Sequence, residues 1–164
     1  LELSASETTS KTETVYLNQI VEEATAMLEP LSRSRKIQVV TTLAKVAIVG
    51  ESETLKRAIT TIIDNAIKYS RDKSKIYISS KVIGKDVILK IRDEGIGIDE
   101  TEIPLIFNRF YRSDKARSTD GHGLGLSIAK KIVESQNGEI EVSSKKGKGT
   151  TVSLIFPYSA RIQK

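Results

Sequence analysis

The chain has 164 residues, 38% of them hydrophobic and 29% charged, which is typical of a single ordinary globular domain. It contains no cysteine, which excludes disulfides and thiolate metal sites, and it has neither a long apolar run nor a secretory signal, so we expect a soluble fragment. The net charge of +5 suits nucleic acid, an acidic membrane or a phosphorylated small molecule, but no basic stripe interleaves with the three Phe and five Tyr, which disfavours nucleic acid.

The N-terminal part of the chain predicts a linker, a helix and two strands. Residues 1–14 are rich in Ser and Thr and lack an apolar period, so they are interpreted as a linker. A helix follows with Asn18 as its N-cap, and Pro30 is expected to bend or shorten its last turn. Residues 36–43 and 46–50 are rich in β-branched side chains and predict two strands joined by a tight connection.

The middle of the chain predicts a second helix and a hairpin. The helix runs from about residue 53 to residue 69. Residues 75–83 and 86–95 then alternate apolar and polar side chains on either side of a turn at Gly84 and Lys85, which is typical of an antiparallel hairpin.

The C-terminal part predicts a surface segment, a third helix and a second hairpin. Residues 99–119 are charged and weakly periodic, which indicates a mobile segment with one short helix opened by Pro104. The third helix is expected from about residue 124 to residue 136. Residues 138–144 and 149–157 predict the last hairpin.

These elements come in runs and not in strict alternation, which favours an α+β fold. We expect a two-layer α/β sandwich, with three main helices on one face of a mixed, mostly antiparallel sheet of about five to six strands.

The strand that ends at Asp93 carries the first candidate functional side chain. Alternation places Val87, Leu89, Ile91 and Asp93 on one face, so the carboxylate ends an apolar row. A carboxylate there needs hydrogen-bond donors. It is either a structural cap or salt-bridge partner, or an acceptor for an N–H group of a ligand that the glycines after it allow to come close.

One edge of the second helix and a glycine-rich loop supply further candidates. Asn65, Thr61 and Lys68 share that edge, where an amide oxygen is a suitable Mg²⁺ ligand and where the alternative is a plain surface amide. The stretch "GHGLG" at residues 121–125 matches neither a Walker loop nor a dinucleotide fingerprint. It would bring backbone N–H groups to a helix N-terminus, which suits phosphate, unless it is only a hinge.

Four motifs in order resemble the catalytic and ATP-binding domain of bacterial sensor histidine kinases, within the GHKL ATPase superfamily. The motifs are "IIDNAIKYS" for the Asn box, "DEGIGI" and "GHGLGL" for the two glycine boxes, and "IFNRFYR" for the Phe box. The stretch "GKGTT" is similar to the closing glycine-threonine element.

The resemblance implies ATP and Mg²⁺ as cofactors and assigns roles to individual residues. Asn65 would be the Mg²⁺ ligand and Asp93 the acceptor for the adenine amino group, while Asn65 and Arg112 would be catalytic. The nucleotide-binding set would comprise Asn65, Lys68, Tyr69, Asp93, Gly95, Gly97, Ile98, Arg112, Gly121, His122, Gly123, Leu124, Gly125 and Thr150. Phe107 and Phe110 would tether a mobile ATP lid.

The resemblance also implies how the domain is used. It assigns residues 1–14 to a linker or remnant of the dimerisation domain, 15–158 to the catalytic domain and 159–164 to a tail. The partners would be the parent protein's own dimerisation and histidine phosphotransfer domain and a response regulator, with no nucleic acid. The fragment would be cytoplasmic, and any membrane attachment would lie in missing regions of the parent protein. Because His122 is the only histidine and lies inside the glycine loop, we expect no autophosphorylation.

Three alternatives stay open. Many members of the family carry a second Asn where this chain has Thr61, which leaves a degenerate nucleotide-binding module as a rival. Another GHKL ATPase without phosphotransfer is a second rival, and a basic DNA-binding module, which would show steep salt dependence, is a third.

Overall fold

The computed structural model describes residues 11–112 and 125–158. The elements in chain order are β1 (Glu13–Tyr16), α1 (Leu17–Ser34), β2 (Gln38–Thr42), β3 (Ala47–Gly50), α2 (Ser52–Tyr69), β4 (Lys75–Ile83), β5 (Asp86–Asp93), a 3₁₀ turn (Ile103–Leu105), α3 (Gly125–Ser135), β6 (Glu139–Lys145) and β7 (Gly149–Pro157).

The described strands form two sheets. The larger sheet has the order β2-β4-β5-β7-β6, in which only the β2–β4 pair is parallel. A separate antiparallel ribbon pairs β1 with β3. The tight connection predicted after β2 therefore leads from one sheet to the other, and the two strands it joins do not pair.

One face of the larger sheet is buried under the helices. Along β5 the buried Val87, Leu89 and Ile91 alternate with the exposed Lys90 and Arg92. All three helices contribute side chains to a single hydrophobic core together with this row. The predicted α+β sandwich, with its helices on one face of a mixed, mostly antiparallel sheet, is confirmed.

The start of the fold differs from the prediction. Residues 13 and 14, which were predicted to belong to the linker, begin strand β1. The sequence pattern does not reveal this strand, because only Val15 of its four residues is buried. Asn18 is not the N-cap, since α1 begins at Leu17. The Leu17 N–H donates instead to the Val46 carbonyl at 3.0 Å, so a tertiary contact does the work of a capping side chain.

Pro30 lies inside α1 and does not shorten it, because the helix continues to Ser34. Its ring removes one backbone hydrogen bond on an exposed face, where water can satisfy the carbonyl left behind. None of the helices in the described residues has both the length and the hydrophobicity needed to cross a bilayer.

Candidate functional site

A cavity of about 250 Å³ lies between α2 and one end of the sheet. Ile106, Tyr111 and Arg112, which follow the 3₁₀ turn, and the start of α3 complete its wall. Its lining includes these residues predicted from the sequence: Asn65, Lys68, Tyr69, Asp93, Gly97, Ile98, Arg112, Gly125 and Thr150. The fold therefore gathers side chains from distant parts of the chain around one space.

Asp93 supplies a buried carboxylate to this cavity. The residue is 7% exposed, and its Oδ1 accepts hydrogen bonds from Gly95 N at 2.8 Å and from Thr150 N at 3.2 Å. Oδ2 accepts none from the described residues. Burial raises the pKa of the Asp93 carboxyl above its ordinary value, and the two backbone hydrogen bonds offset only part of that rise. One oxygen is thus oriented by the fold, while the other can accept a hydrogen bond from a ligand.

Gly95 brings the loop after β5 against the end of α2. A Cβ at this position would lie 2.2 Å from the Tyr69 carbonyl oxygen, so no other residue fits without moving the backbone. The next residue, Ile96, donates its N–H to the same carbonyl at 3.2 Å. Gly95 is therefore behind the cavity wall, where it sets the spacing between Asp93 and α2.

The same loop is joined to the turn between β6 and β7. Gly97 has φ +67°, and a Cβ there would lie 2.1 Å from the Lys145 carbonyl oxygen. Ile98 N donates to Ser144 Oγ at 2.8 Å. Ser144 was not predicted from the sequence. It lies two residues after the cavity-lining Val142 along β6, so both side chains are on the inner face.

The edge of α2 that lines the cavity carries both polar and charged groups. Asn65 is half-buried, and its side chain makes no hydrogen bond to a described residue. Lys68 Nζ forms an ion pair with Asp64 at 2.7 Å. Asp64 also lines the cavity and was not predicted from the sequence. An amide oxygen and an ammonium group therefore face the same space.

The Thr61 hydroxyl forms a hydrogen bond with the backbone of α2. Its Oγ1 donates to the Arg57 carbonyl at 2.9 Å, one turn earlier in α2. Its methyl group packs toward α3, since a Cβ at Gly125 would be 3.0 Å from Thr61 Cγ2. Thr61 thus acts chiefly as a spacer between α2 and the start of α3.

The Phe box lies beside the cavity, with its two phenylalanines in different environments. The Phe107 ring lies 5.1 Å from Lys130 Nζ of α3, a cation–π contact that ties this segment to the helix. Phe110 is 72% exposed with φ +64°. The predicted tethering of a lid by Phe107 and Phe110 stays a prediction, because residues 113–124 lie outside the described residues. Tyr111, which follows, donates its hydroxyl to Glu102 Oε1 at 2.8 Å. The predicted residues Gly121, His122, Gly123 and Leu124 lie outside the described residues.

The fold and the cavity define a class of two-layer nucleotide-binding ATPase, and comparison with known families agrees. A family model described as histidine kinase-, DNA gyrase B- and HSP90-like ATPase matches residues 50–160, which is more than half of the chain. The chain belongs to this family. The family predicted from the four ordered motifs is therefore confirmed.

The similar curated proteins are sensor histidine kinases. The chain is 40% identical over 141 residues to sensor histidine kinase YkoH of Bacillus subtilis, covering 84% of this chain and 31% of that protein. It is 37% identical over 149 residues to the signal transduction histidine-protein kinase ArlS of Staphylococcus aureus, covering 90% and 33%. The chain spans about a third of the length of these relatives.

Solved structures show the same fold. The mycobacterial sensor histidine kinase MprB superposes with a TM-score of 0.80 at 29% identity, covering 90% of this chain and 98% of that one. The catalytic domain of histidine kinase ThkA, in a nucleotide-free form, gives a TM-score of 0.79 over 90% of this chain and 96% of its own. Its identity of 24% makes it evidence for the fold alone.

Proposed function

We propose that this domain binds ATP in the cavity beside α2 and presents the γ-phosphoryl group to a histidine on another domain of the parent protein. A response regulator would later receive the phosphoryl group. Because Glu13 and Thr14 belong to β1, the catalytic domain would comprise residues 13–158, two residues more than predicted from the sequence, with the residues before it as a linker and 159–164 as a tail. Because ATP and response regulators are cytoplasmic, we assign the domain to the cytoplasm.

The single observation that carries the proposal is the Asp93 carboxylate. Both hydrogen bonds from the protein end on Oδ1, which leaves Oδ2 as an acceptor at an otherwise largely apolar wall. A purine amino group is a donor of the right kind, and the flat ring suits the apolar side chains of Ile62, Ile96 and Val152 that line the cavity. An ionised carboxylate held in a buried place gains most from such a donor.

The polar edge of α2 supports binding of the triphosphate. Lys68 and Arg112 line the cavity as cations, and Gly125 is the first residue of α3 as described, where the N-terminus of a helix favours anions. In this proposal Lys68 exchanges its ion pair with Asp64 for a phosphate oxygen.

Asn65 fits the role of Mg²⁺ ligand because its half-buried amide makes no hydrogen bond to a described residue. The described residues contain no group of three or more His, Cys, Asp or Glu side chains able to hold a metal by themselves. An ion here would take most of its ligands from phosphate and water, which is the usual habit of Mg²⁺. When bound, it would neutralise charge on the phosphates.

The chain's own residues would contribute positioning and charge neutralisation. Asp93 would orient the base, and Asn65, Lys68 and Arg112 would hold the phosphate end, so that the γ-phosphoryl group faces the incoming acceptor. The acceptor must come from outside, since His122 is the only histidine in the sequence. The isolated domain should therefore bind ATP and leave itself unphosphorylated.

Asp93→Asn tests the proposal. The amide keeps an oxygen for Gly95 N and Thr150 N but can place an NH₂ group against the purine amino group, so ATP affinity should fall by about a hundredfold. Calorimetric titration with Mg-ATP measures the change. Asp86→Asn, at the exposed end of the same strand, is the matched control and should bind like the wild type. Undiminished affinity in Asp93→Asn would contradict the proposal.

A degenerate module that binds ATP without transferring phosphate is the second candidate, favoured by Thr61, which stands where many members of the family carry a second Asn. Incubation with radiolabelled ATP and the parent protein's histidine-bearing dimerisation domain separates the two. Label on that domain supports the kinase, whereas tight ATP binding with no label identifies the degenerate module.

A further inference from the structure

The hydroxyl of Ser144 joins three segments around the cavity. Its Oγ accepts a hydrogen bond from Ile98 N at 2.8 Å, in the loop after β5. It donates to the Gly149 carbonyl at 2.9 Å and lies 2.7 Å from Thr150 Oγ1. Ser144 and Thr150 face each other directly across the β6–β7 pair. One small side chain thus connects the loop and both strands of the hairpin.

Counting protons gives one arrangement in which all these hydrogen bonds form at once. A serine hydroxyl has one proton to donate and two lone pairs to accept with. When Ser144 donates to the Gly149 carbonyl, its two lone pairs accept from the Ile98 N–H and from the Thr150 hydroxyl, so its capacity is fully used. The Thr150 hydroxyl then points its proton at Ser144 and offers only lone pairs elsewhere.

The network reaches Asp93 through both of its neighbours. Thr150 N donates to Asp93 Oδ1 at 3.2 Å, and Gly95 N, in the loop that Ser144 holds at Ile98, donates to the same oxygen at 2.8 Å. Both donors that set the rotation of the carboxylate therefore belong to segments anchored by Ser144. Loss of the Ser144 hydroxyl would leave the Ile98 N–H without this acceptor and release one side of each segment.

We infer that Ser144 is a positioning residue for base recognition. It holds the Asp93 carboxylate in the rotation that offers Oδ2 to the cavity, and it thereby sets the preference of the site for a purine with an amino group over one with a carbonyl. The inference rests on the proposed function of the site, and Ser144 itself is not among the residues that line the cavity.

The test compares Mg-ATP with Mg-ITP, because inosine carries a carbonyl oxygen where adenine carries the amino group and the triphosphate is the same. Calorimetry gives both dissociation constants for the wild type and for Ser144→Ala. We expect the variant to lose roughly three- to tenfold in preference for ATP, through weaker ATP binding. General loosening of the fold would weaken both nucleotides equally and leave their ratio unchanged.

Three further variants sharpen the result. Ser144→Thr keeps the hydroxyl and should retain the wild-type ratio of the ATP and ITP dissociation constants. Ser144→Val, whose side chain is isosteric with threonine but lacks the hydroxyl, should lose that ratio like Ser144→Ala. This pair decides the question even if the alanine variant folds poorly, since both side chains are β-branched and suit a strand. Ser143→Ala, the same substitution one position away on the exposed face of β6, should change nothing.

If both Ser144→Ala and Ser144→Val keep the wild-type ratio of the ATP and ITP dissociation constants, Ser144 does not have the inferred role. The proposed function would be unaffected by that result. A wild-type domain that binds neither nucleotide would contradict the proposed function itself, and the role of Ser144 with it.

Discussion

At the scale of single residues, Asp93 combines a structural cost with the binding role proposed for it. The carboxyl is buried at the end of an apolar strand row, and burial raises its pKa. The folded state therefore binds the proton more tightly than the unfolded chain does, so ionisation weakens the fold. An acid kept in such a place is typical of a site where the charge serves a ligand.

The pH dependence of stability follows from this shift. Below the unfolded pKa of about 4, Asp93 is protonated in both states and its contribution to stability is fully present; as pH rises through the raised folded pKa, that contribution is lost. Asp93→Asn has no ionisable group at this position, so the variant does not lose stability in this way as pH rises. The stability of the variant relative to the wild type should therefore increase with pH above about 4, measured by urea unfolding at a series of pH values. A difference independent of pH would contradict the raised pKa.

At the scale of elements, the C-terminus of α2 is held by an arginine from another part of the chain. Arg35 donates from Nη1 to the carbonyls of Ile67 and Lys68, the latter at 2.8 Å, and from Nη2 to the Ser70 carbonyl at 2.8 Å. Its Nε donates to Asp72 Oδ1 at 2.9 Å. A cation here complements the negative end of the helix dipole. It also fixes the helix end that carries two candidate site residues.

Two arginines near the end of α1 give a matched comparison. Arg35→Ala removes several charge-assisted hydrogen bonds from a side chain that is 28% exposed, and should lower the free energy of unfolding by about 1–3 kcal/mol. Arg33→Ala removes only an ion pair with Glu29 on a side chain that is 79% exposed, and should cost less than about 0.5 kcal/mol. Urea unfolding of both variants measures the difference; equal losses would argue against the role of Arg35.

At the scale of the whole molecule, the cavity forms where the helical layer meets the sheet, and no single element forms it alone. Helix α2, the end of the larger sheet and the start of α3 each supply part of the lining. A ligand that fills this space binds the folded state alone, so binding and folding are linked.

This linkage can be measured. A non-hydrolysable Mg-ATP analogue at about one hundred times its dissociation constant should raise the free energy of unfolding by about 2.7 kcal/mol. Amide exchange over residues 99–125 should slow at the same time, because the triphosphate gives the basic side chains there a counter-charge. The Asp93→Asn variant at the same analogue concentration is the control: a hundredfold weaker affinity leaves it about half-saturated, so its stabilisation should be only about 0.4 kcal/mol and its exchange should slow correspondingly less. Stabilisation without slower exchange would place the ligand elsewhere.

The sequence by itself determined the fold class, the family and nearly half of the described residues that line the cavity. Helix faces and alternating strand rows depend on residues a few positions apart, so α2, the β4–β5 hairpin and the burial of Asp93 were predictable. The four motifs identified the family because their order along the chain can be read directly from the sequence.

Only the tertiary structure decided which distant groups meet. The β1–β3 ribbon, the backbone cap on Leu17, the closeness of Gly95 to the Tyr69 carbonyl, the hydrogen-bond network of Ser144 and the Arg35 contacts all join residues far apart in the sequence. No local pattern encodes such a contact. Each forms because the packing of the helical layer on the sheet brings both partners to the same place, and each buried polar group must then find a partner there.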